Sequence, residues 1–276
     1  MCDEAVKTPS GHNKLADCPF NTKMKNLIGL VSIALLLLFS MPPIFVSAEQ
    51  LSGNEIVKRA DRVMIGETAR YDCIMVIERP GRESTIAKYR TYFKGRGKKV
   101  LIRMLFPPKE AGKDLLMINN SMWQYIPNIS RSVRVAGSQR FMGGEFNNTD
   151  LLKISLIDDY HGTLIDTQTM DGIEYYHLEL KAKRPETTYY RMLYWVRKGD
   201  FMPYKEEYYA LSGKMMKTLV YSDVGSVGKL TRPKKLTMIN ALRPAHKTTV
   251  NIVRAKFNLK LSNSFFTRTY LERKRN

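Results

Sequence analysis

The chain has 276 residues, of which 43% are hydrophobic and 26% charged, with 45 Lys and Arg against 26 Asp and Glu. This composition is typical of a globular chain and excludes a disordered, collagen-like or polytopic membrane protein. Only three cysteines are present, which excludes a small fold held together by disulfides. The formal net charge of +19 favours an anionic partner, such as a membrane surface, a nucleic acid or an acidic ligand.

The N-terminal region has the pattern of a secretory signal peptide. Lys23 and Lys25 precede an apolar run over residues 27–39, and small residues lead up to Ala48. The run is shorter than the roughly 20 residues that are needed to span a bilayer. We therefore expect cleavage between Ala48 and Glu49.

Cleavage there divides the chain into residues 1–48, an N-terminal extension with the signal peptide, and a single mature domain over residues 49–276. Met1 and Met24 are both candidate start residues, and an uncleaved N-terminal anchor is the alternative to cleavage. The mature domain keeps one cysteine, Cys73, in an apolar run that resembles a strand. We expect this thiol to be buried and the domain to have no internal disulfide.

One amphipathic helix is predicted to open the mature domain. Ser52 and Glu55 match a capping box, in which the N-cap hydroxyl and the third helical residue satisfy free backbone N–H groups. The helix is predicted to end near Gly66. Apolar residues recur within it at helical spacing: Ile56, Val57, Ala60, Val63 and Met64.

Most of the remaining chain alternates between apolar and polar residues, in runs separated by turn residues. The short turns favour antiparallel pairing, because parallel strands need long crossover connections. We expect an α+β fold that is mainly β, with one strongly curved antiparallel sheet of about ten or eleven strands. The runs with this pattern are 71–78, 85–94, 100–106, 114–119, 122–126, 164–170, 173–183, 188–197, 204–210, 215–223, 235–242 and 248–257.

Two segments break the alternation. In residues 138–160, Asn148 or Thr149 is the predicted cap of a short helix that carries Leu151. Residues 262–273 have aromatic residues at roughly helical spacing. Because the run 188–197 is apolar on both strand faces, helices or a ligand must cover the second face of the sheet.

The sequence contains no arrangement typical of catalysis or metal binding. His161, His177 and His246 are not at metal-ligand spacing from one another, and residues 225–228 do not form a nucleophile elbow. We therefore predict a non-enzyme without a cofactor or a metal. No nucleic-acid recognition motif is present, so docking on anionic lipid headgroups is the functional interpretation of the basic excess, and scattered solvated charge is the alternative.

Residues 114–152 contain a distinctive block, Trp123-Gln124-Tyr125-Ile126-Pro127, followed by Arg131, Arg134, Phe141, Gly143-Gly144-Glu145-Phe146 and Asp150-Leu151. This block resembles the outer-membrane lipoprotein-sorting protein family, whose members are LolA-like, and weaker similarity extends over nearly the whole mature chain. The family usually has Gly-Ser-Asp-Phe where this chain has Gly143-Gly144-Glu145-Phe146, which puts any role of that Ser in doubt.

The resemblance implies a periplasmic incomplete β-barrel whose concave, apolar side is closed by helices and holds acyl chains. It implies a carrier that moves lipoproteins or lipids between the inner and outer membranes, with an inner-membrane donor complex or exporter as partner. Exposing an acyl chain to water costs about 0.8 kcal/mol per CH₂, so transfer from a bilayer to an apolar cavity is nearly neutral. A non-catalytic adaptor or lipid-sensing regulatory protein is the alternative.

The resemblance also suggests which residues bind the acyl chain. The candidates for the cavity mouth and lid are Trp123, Tyr125, Phe141, Met142, Phe146, Leu151 and Leu152, and those for the floor are Tyr190, Met192 and Tyr194. Plain core packing is the alternative for Trp123 and Tyr125. Arg131 and Arg134 are candidates to hold the lid through backbone carbonyls, with simple solvent exposure as the alternative.

Overall fold

The fold is built around one large antiparallel sheet. The structure, a computed structural model, describes residues 51–273 except Ile65, Ile154 and Lys229. The predicted signal peptide and its cleavage site between Ala48 and Glu49 lie outside the described residues.

Thirteen strands make up the sheet within the described residues. They are β1 (Thr68–Glu78), β2 (Thr85–Lys94), β3 (Lys99–Phe106), β4 (Leu115–Ile118), β5 (Ser121–Ile126), β6 (Arg131–Arg134), β7 (Tyr160–Met170), β8 (Ile173–Ala182), β9 (Arg191–Arg197), β10 (Pro203–Tyr209), β11 (Met215–Val227), β12 (Leu230–Asn240) and β13 (Lys247–Phe257). Their order is β6-β5-β4-β3-β2-β1-β13-β12-β11-β10-β9-β8-β7, so β6 and β7 are the edges. Each of the twelve runs with strand-like alternation corresponds to an observed strand, and the thirteenth, β6, is not predicted because it has only four residues and little alternation.

The sheet is strongly curved and does not close. Tyr89 on β2 and Tyr194 on β9 line the same cavity, although six strand positions separate them in the sheet. In a flat sheet with strands about 4.8 Å apart, these positions would be roughly 29 Å apart. The face that carries both tyrosines is therefore the concave, inner face, as the sequence predicts for one face of a curved sheet.

In the part of the chain that the structure describes, three short α-helices accompany the sheet: α1 (Gly53–Met64), α2 (Asn148–Leu152) and α3 (Arg268–Arg273). The predicted cap of α1 is confirmed, because the backbone N–H of Glu55 donates to the Ser52 hydroxyl at 3.2 Å. None of the described helices is long and apolar enough to cross a membrane.

Helix α1 packs tightly against the edge strand β7. A Cβ atom on Gly53 would lie 2.4 Å from the carbonyl oxygen of Gly162, so glycine is required for this close approach. The Asn54 side chain accepts a hydrogen bond from the Gly162 N–H at 2.8 Å. Three apolar residues of α1, Ile56, Val57 and Ala60, are fully buried in the inner core.

Helix α3 covers the other edge strand, β6, and lies on the outer face of the sheet. The Glu272 carboxylate accepts a hydrogen bond from the Ser132 N–H at 3.0 Å. The apolar residues beneath α3 form a second, smaller core: Leu101, Leu116, Tyr125, Phe266 and Leu271. The expectation that helices cover the concave face therefore holds for α1 and α2, whereas α3 packs on the opposite side.

Candidate functional site

A cavity of about 120 Å³ lies between the inner face of the sheet, α1 and the segment that joins β6 to β7. Its lining is mainly aromatic and aliphatic, as expected for a site that binds an apolar ligand. The apolar lining residues include Met64, Tyr71, Tyr89, Phe93, Leu151, Tyr160, Met192, Tyr194, Leu219, Val250 and Ile252.

We call residues 138–159, with Ile154 excepted, the lid. The lid crosses the inner face and carries α2, whose cap is Asn147 and not Asn148 or Thr149 as the sequence predicts. The Asp150 carboxylate accepts the backbone N–H of Asn147 at 2.7 Å, which satisfies a free donor at the start of the helix.

Hydrogen bonds from the sheet hold the Gly143–Phe146 part of the lid. The Glu145 N–H donates to the Thr248 hydroxyl at 2.9 Å, and the Asn240 amide donates to the Glu145 carboxylate at 2.9 Å. Arg79 donates to the Gly143 carbonyl. A Cβ atom on Gly144 would lie 3.0 Å from the Thr248 hydroxyl, so the lid lies close to β13 at this point.

Lys217 on β11 forms the central polar contact between lid and sheet. Its ammonium donates to the Glu145 carbonyl at 2.7 Å and pairs with the Asp150 carboxylate at 3.0 Å. The Tyr189 hydroxyl donates to the same carboxylate at 2.8 Å. Burial lowers the pKa of Lys217, and the nearby Asp150 carboxylate acts in the opposite direction.

Asp61 ties α1 to the lid. Its carboxylate accepts the backbone N–H groups of Leu156 and Ile157, each at 3.1 Å, and the Ser155 hydroxyl at 3.2 Å. Burial raises the pKa of Asp61 to about 7, against the opposing effect of these hydrogen bonds. Because one side chain joins both covers of the cavity, α1 and the lid are mechanically linked.

Glu206 on β10 is buried in the cavity wall. It accepts hydrogen bonds from the hydroxyls of Tyr208 at 2.5 Å and Tyr221 at 2.6 Å. Burial raises the pKa of Glu206 to about 7, although both hydrogen bonds lower it. The cavity therefore has a polar centre within its largely apolar wall.

Cys73 also lines the cavity and is only 6% exposed. Burial raises the pKa of the thiol to about 12, so it remains protonated at neutral pH. Within the described residues, no group of three or more His, Cys, Asp and Glu side chains is placed to hold a metal ion.

Several of the residues selected from the sequence lie at the cavity or beneath the lid. Leu151, Met192 and Tyr194 line the cavity. The others belong to the inner core, where Phe141, Phe146 and Leu152 are buried and Met142 packs partly buried against them. The rings of Phe141 and Tyr89 make an edge-to-face contact at 5.8 Å.

Three predicted aromatic residues lie elsewhere. Tyr125 belongs to the outer core under α3, and Trp123, which alternates with it on β5, faces the same side. Tyr190 is 49% exposed because a bend precedes β9, and Tyr189 reaches the cavity in its place. The side of the sheet on which a strand residue falls depends on register, which the sequence did not reveal here.

Arg131 and Arg134 occupy a different position from the one expected. Both are exposed on the edge strand β6, and neither side chain donates a hydrogen bond to the lid in the described part of the chain. The side chains that donate to the lid at Gly143 and Glu145 are instead Arg79, Lys217 and Asn240. The alternative of simple solvent exposure agrees with the observed positions of Arg131 and Arg134.

Sequence reasoning did not select Asp61, Glu206 or Lys217. A signal was nevertheless present, because Lys217 shares a strand face with the apolar residues Leu219 and Tyr221. A charged residue at a position that alternation assigns to the core indicates a buried polar contact. Glu206 similarly shares its face with the buried Tyr208.

Comparisons with known proteins agree with this geometry. The model of a family of uncharacterized proteins matches residues 96–273, which is more than half of the chain. A LolA superfamily protein from Nitrosomonas europaea is 26% identical, with a TM-score of 0.74 over 80% of this chain and 100% of that chain. A DUF1329 family protein from Desulfovibrio piger is 25% identical, with a TM-score of 0.70 over 79% of this chain and 97% of that chain.

A third solved structure, described as an outer membrane lipoprotein-sorting protein domain from Vibrio parahaemolyticus, shares the fold. It is 23% identical, with a TM-score of 0.71 over 80% of this chain and 98% of that chain. No curated protein sequence matches the chain. The resemblance drawn from residues 114–152 is confirmed: the chain belongs to the matched family of uncharacterized proteins, and its fold is LolA-like.

Proposed function

We propose that the protein is a periplasmic carrier that binds acyl chains of lipoproteins or lipids in the cavity beneath the lid. The observation that carries this proposal is the largely apolar cavity on the concave face, closed by α1 and the lid. The likeness to LolA superfamily structures supports it at the level of the fold. Binding and release of this kind need no catalytic residue, so we propose a non-enzyme.

In the closed arrangement the cavity is too small for a whole acyl chain, so the proposed carrier must open to load. About 120 Å³ accommodates roughly four water molecules at about 30 Å³ each, which is too little space for an acyl chain of about 16 carbons. Displacing the lid provides the additional space. The lid's contacts with the sheet compete with the ligand, so the cargo is held firmly enough for transport and loosely enough for release.

Uptake of a neutral fluorescent probe, N-phenyl-1-naphthylamine, tests acyl-chain binding. Ile252 lines the cavity on β13, whereas the next residue, Val253, is 58% exposed and does not line it. We expect Ile252→Trp to fill the cavity and lower probe affinity by about tenfold, since each 1.4 kcal/mol of lost binding is tenfold. Val253→Trp adds the same side chain outside the cavity and is expected to keep wild-type affinity.

Thermal unfolding of both variants shows whether each is folded before affinities are compared. Equal affinities for Ile252→Trp and Val253→Trp, or no probe uptake by the wild-type protein, would contradict the proposal. Mass spectrometry of protein purified under native conditions from periplasm then identifies the acylated cargo. The donor complex or exporter that supplies the cargo belongs to the same proposal.

A further inference from the structure

The cavity wall is acidic, although the whole chain has a formal net charge of +19. Its ionisable residues other than tyrosine and cysteine are Asp61, Asp150, Asp159, Glu206 and Lys153. Two of these carboxylates are neutralised, because Asp150 pairs with Lys217 and Asp159 pairs with Lys153 and Arg184. The remaining carboxylates give the cavity an excess of negative charge when they are ionised.

Glu206 and Asp61 have no ion-pair partner among the residues that the structure describes. Glu206 accepts only tyrosine hydroxyls, and Asp61 accepts two backbone N–H groups and the Ser155 hydroxyl. A buried carboxylate without a counter-charge is unfavourable, and a ligand that brings a positive charge relieves this cost.

A second, independent observation comes from Tyr194. Its side chain lines the same cavity and is 2% exposed to solvent. In the described part of the chain, its hydroxyl has no hydrogen-bond partner. The oxygen is not among the fully enclosed unpaired atoms, so part of it remains accessible from the cavity. An unpaired hydroxyl in the wall of this cavity indicates that a polar group of the ligand completes the arrangement.

We propose that the cavity binds an amphiphile with an amine headgroup, whose ammonium lies against Glu206 and whose alkyl chain follows the apolar wall. This inference rests on the proposed function, because it names the headgroup class for the same cavity. An ammonium has three N–H donors, which suits the Glu206 carboxylate together with the oxygen of the Tyr194 hydroxyl. The tyrosine rings around Glu206 add cation–π attraction.

The same wall disfavours an anionic headgroup. The carboxylate of a free fatty acid would lie near Glu206 and Asp61, and like charges repel strongly where water is excluded. The headgroup of a neutral alcohol carries no charge, so these carboxylates neither attract it as they attract an ammonium nor repel it as they repel a carboxylate. The expected order of affinity at equal chain length is therefore amine, then alcohol, then carboxylate.

Binding of an ammonium is also linked to pH. Burial raises the pKa of Glu206 to about 7, so ammonium binding favours its ionised form and releases a proton. Affinity for the amine is therefore expected to rise between about pH 6 and pH 8. The ionisable groups that face Glu206 from the surrounding elements are Asp61 on α1, Asp150 on α2, Tyr160 on β7, Tyr189 and Tyr194 at β9, Tyr208 on β10 and Tyr221 on β11, and Lys217 on β11 lies opposite Tyr208.

Displacement of N-phenyl-1-naphthylamine by dodecylamine, dodecanol and dodecanoate tests the inference with the full-length protein at about pH 7.5, below micellar concentrations. Dodecylamine is expected to bind about tenfold more tightly than dodecanoate. Glu206→Gln is expected to reduce this ratio to less than about threefold while leaving dodecanol unchanged. The matched control is Glu207→Gln, which removes a neighbouring carboxylate that pairs with Lys205 and accepts the Tyr209 hydroxyl.

The outcomes separate this inference from the proposed function. If the probe or all three dodecyl compounds fail to bind the wild-type protein, the carrier function itself is wrong. If all three bind equally, or if Glu206→Gln keeps the wild-type ratio, acyl binding stands and the amine assignment is overturned.

A second variant guards against loss of folding, which thermal unfolding detects. Tyr194→Phe removes only the unpaired hydroxyl, so the fold is retained without a lost protein contact. We expect it to weaken dodecylamine by about threefold and to leave dodecanoate unchanged. Equal weakening of both compounds, or no change in either, contradicts the inference.

Discussion

Glu206 lies in the cavity wall with 3% of its surface exposed, where the hydroxyls of Tyr208 and Tyr221 satisfy both carboxylate oxygens. Burial raises its pKa to about 7, and Asp61 is raised to about 7 in the same way. Between the ordinary carboxyl pKa and pH 7, the folded protein therefore holds more protons than the unfolded chain. Stability falls as pH rises through this range, because proton release is easier after unfolding.

The pH dependence of stability checks the state of Glu206. We expect the free energy of unfolding to fall from about pH 5 to about pH 7.5, with Glu206 contributing on the order of 3 kcal/mol. Glu206→Gln should reduce this slope by roughly half, because Asp61 keeps its own contribution, and Glu207→Gln should retain it. Urea unfolding at several pH values gives these free energies, and a wild-type slope in Glu206→Gln would contradict the assignment.

Paired carboxylates act in a different pH range and do not obscure this result. Arg90 and Arg70 beside Asp72 hold the pKa of its carboxyl below the ordinary value, against the effect of burial. A lowered pKa stabilises the fold at higher pH, and this stability is lost only as pH falls below the range of the experiment.

At the scale of residues, the sequence predicted which side chains are buried better than it predicted the face of the sheet on which they lie. The apolar character of Tyr125 and Met192 indicated burial, and both are buried. The face of the sheet could not be predicted, because one register step moves a strand residue to the other side. Tyr125 consequently belongs to the outer core, whereas Met192 lines the cavity.

Among the elements, the lid depends most on polar contacts with the sheet. Lys217 pairs with Asp150 and donates to the Glu145 carbonyl, and it is the buried cation in this contact. Removing one partner of a buried ion pair leaves an uncompensated charge, which typically costs about 3–5 kcal/mol. Lys217 is therefore the residue whose loss should release the lid.

Lys217→Met tests the role of this ion pair. The Met side chain fits the buried site but cannot donate, so we expect lower stability by about 3 kcal/mol and more frequent opening of the lid. Opening exposes Cys73, so maleimide labelling of Cys73 should become faster, as measured by mass spectrometry of the modified peptide.

The matched control is Lys247→Met, which removes an exposed ion pair with Glu78. Such a pair contributes at most about 1 kcal/mol, so labelling of Cys73 should keep its wild-type rate. Equal labelling rates in Lys217→Met and the wild-type protein would show that Lys217 does not hold the lid closed.

Elements with strong local signals were predicted well. The capping box at Ser52 and the alternation over residues 85–94 both correspond to observed elements with nearly the predicted bounds. The lid lacks such a signal, because its conformation depends on contacts with distant strands at Lys217, Asn240 and Thr248. Local sequence cannot specify partners so far away in the chain.

For the whole molecule, the net charge of +19 makes transient contact with anionic membranes part of the proposed function. Each Lys or Arg near such a surface contributes about 1 kcal/mol, and salt screens this attraction. We expect the protein to bind vesicles of phosphatidylglycerol and phosphatidylcholine, with weaker binding as NaCl rises from about 0.05 M to about 0.5 M. Vesicles of phosphatidylcholine alone are the control in a sedimentation assay, and equal binding to both compositions would contradict an electrostatic contact.

In the middle of the sheet, β1 pairs with β13, which are the first and last strands in chain order. Tyr71 lies opposite Ala255, and Glu78 lies opposite Lys247. Contacts between such distant parts of a chain form late and slowly during folding. A nascent polypeptide therefore has no complete cavity that could bind an apolar ligand until its final strand has been synthesised. The binding site is assembled only when almost the entire chain has arrived at the place where it folds.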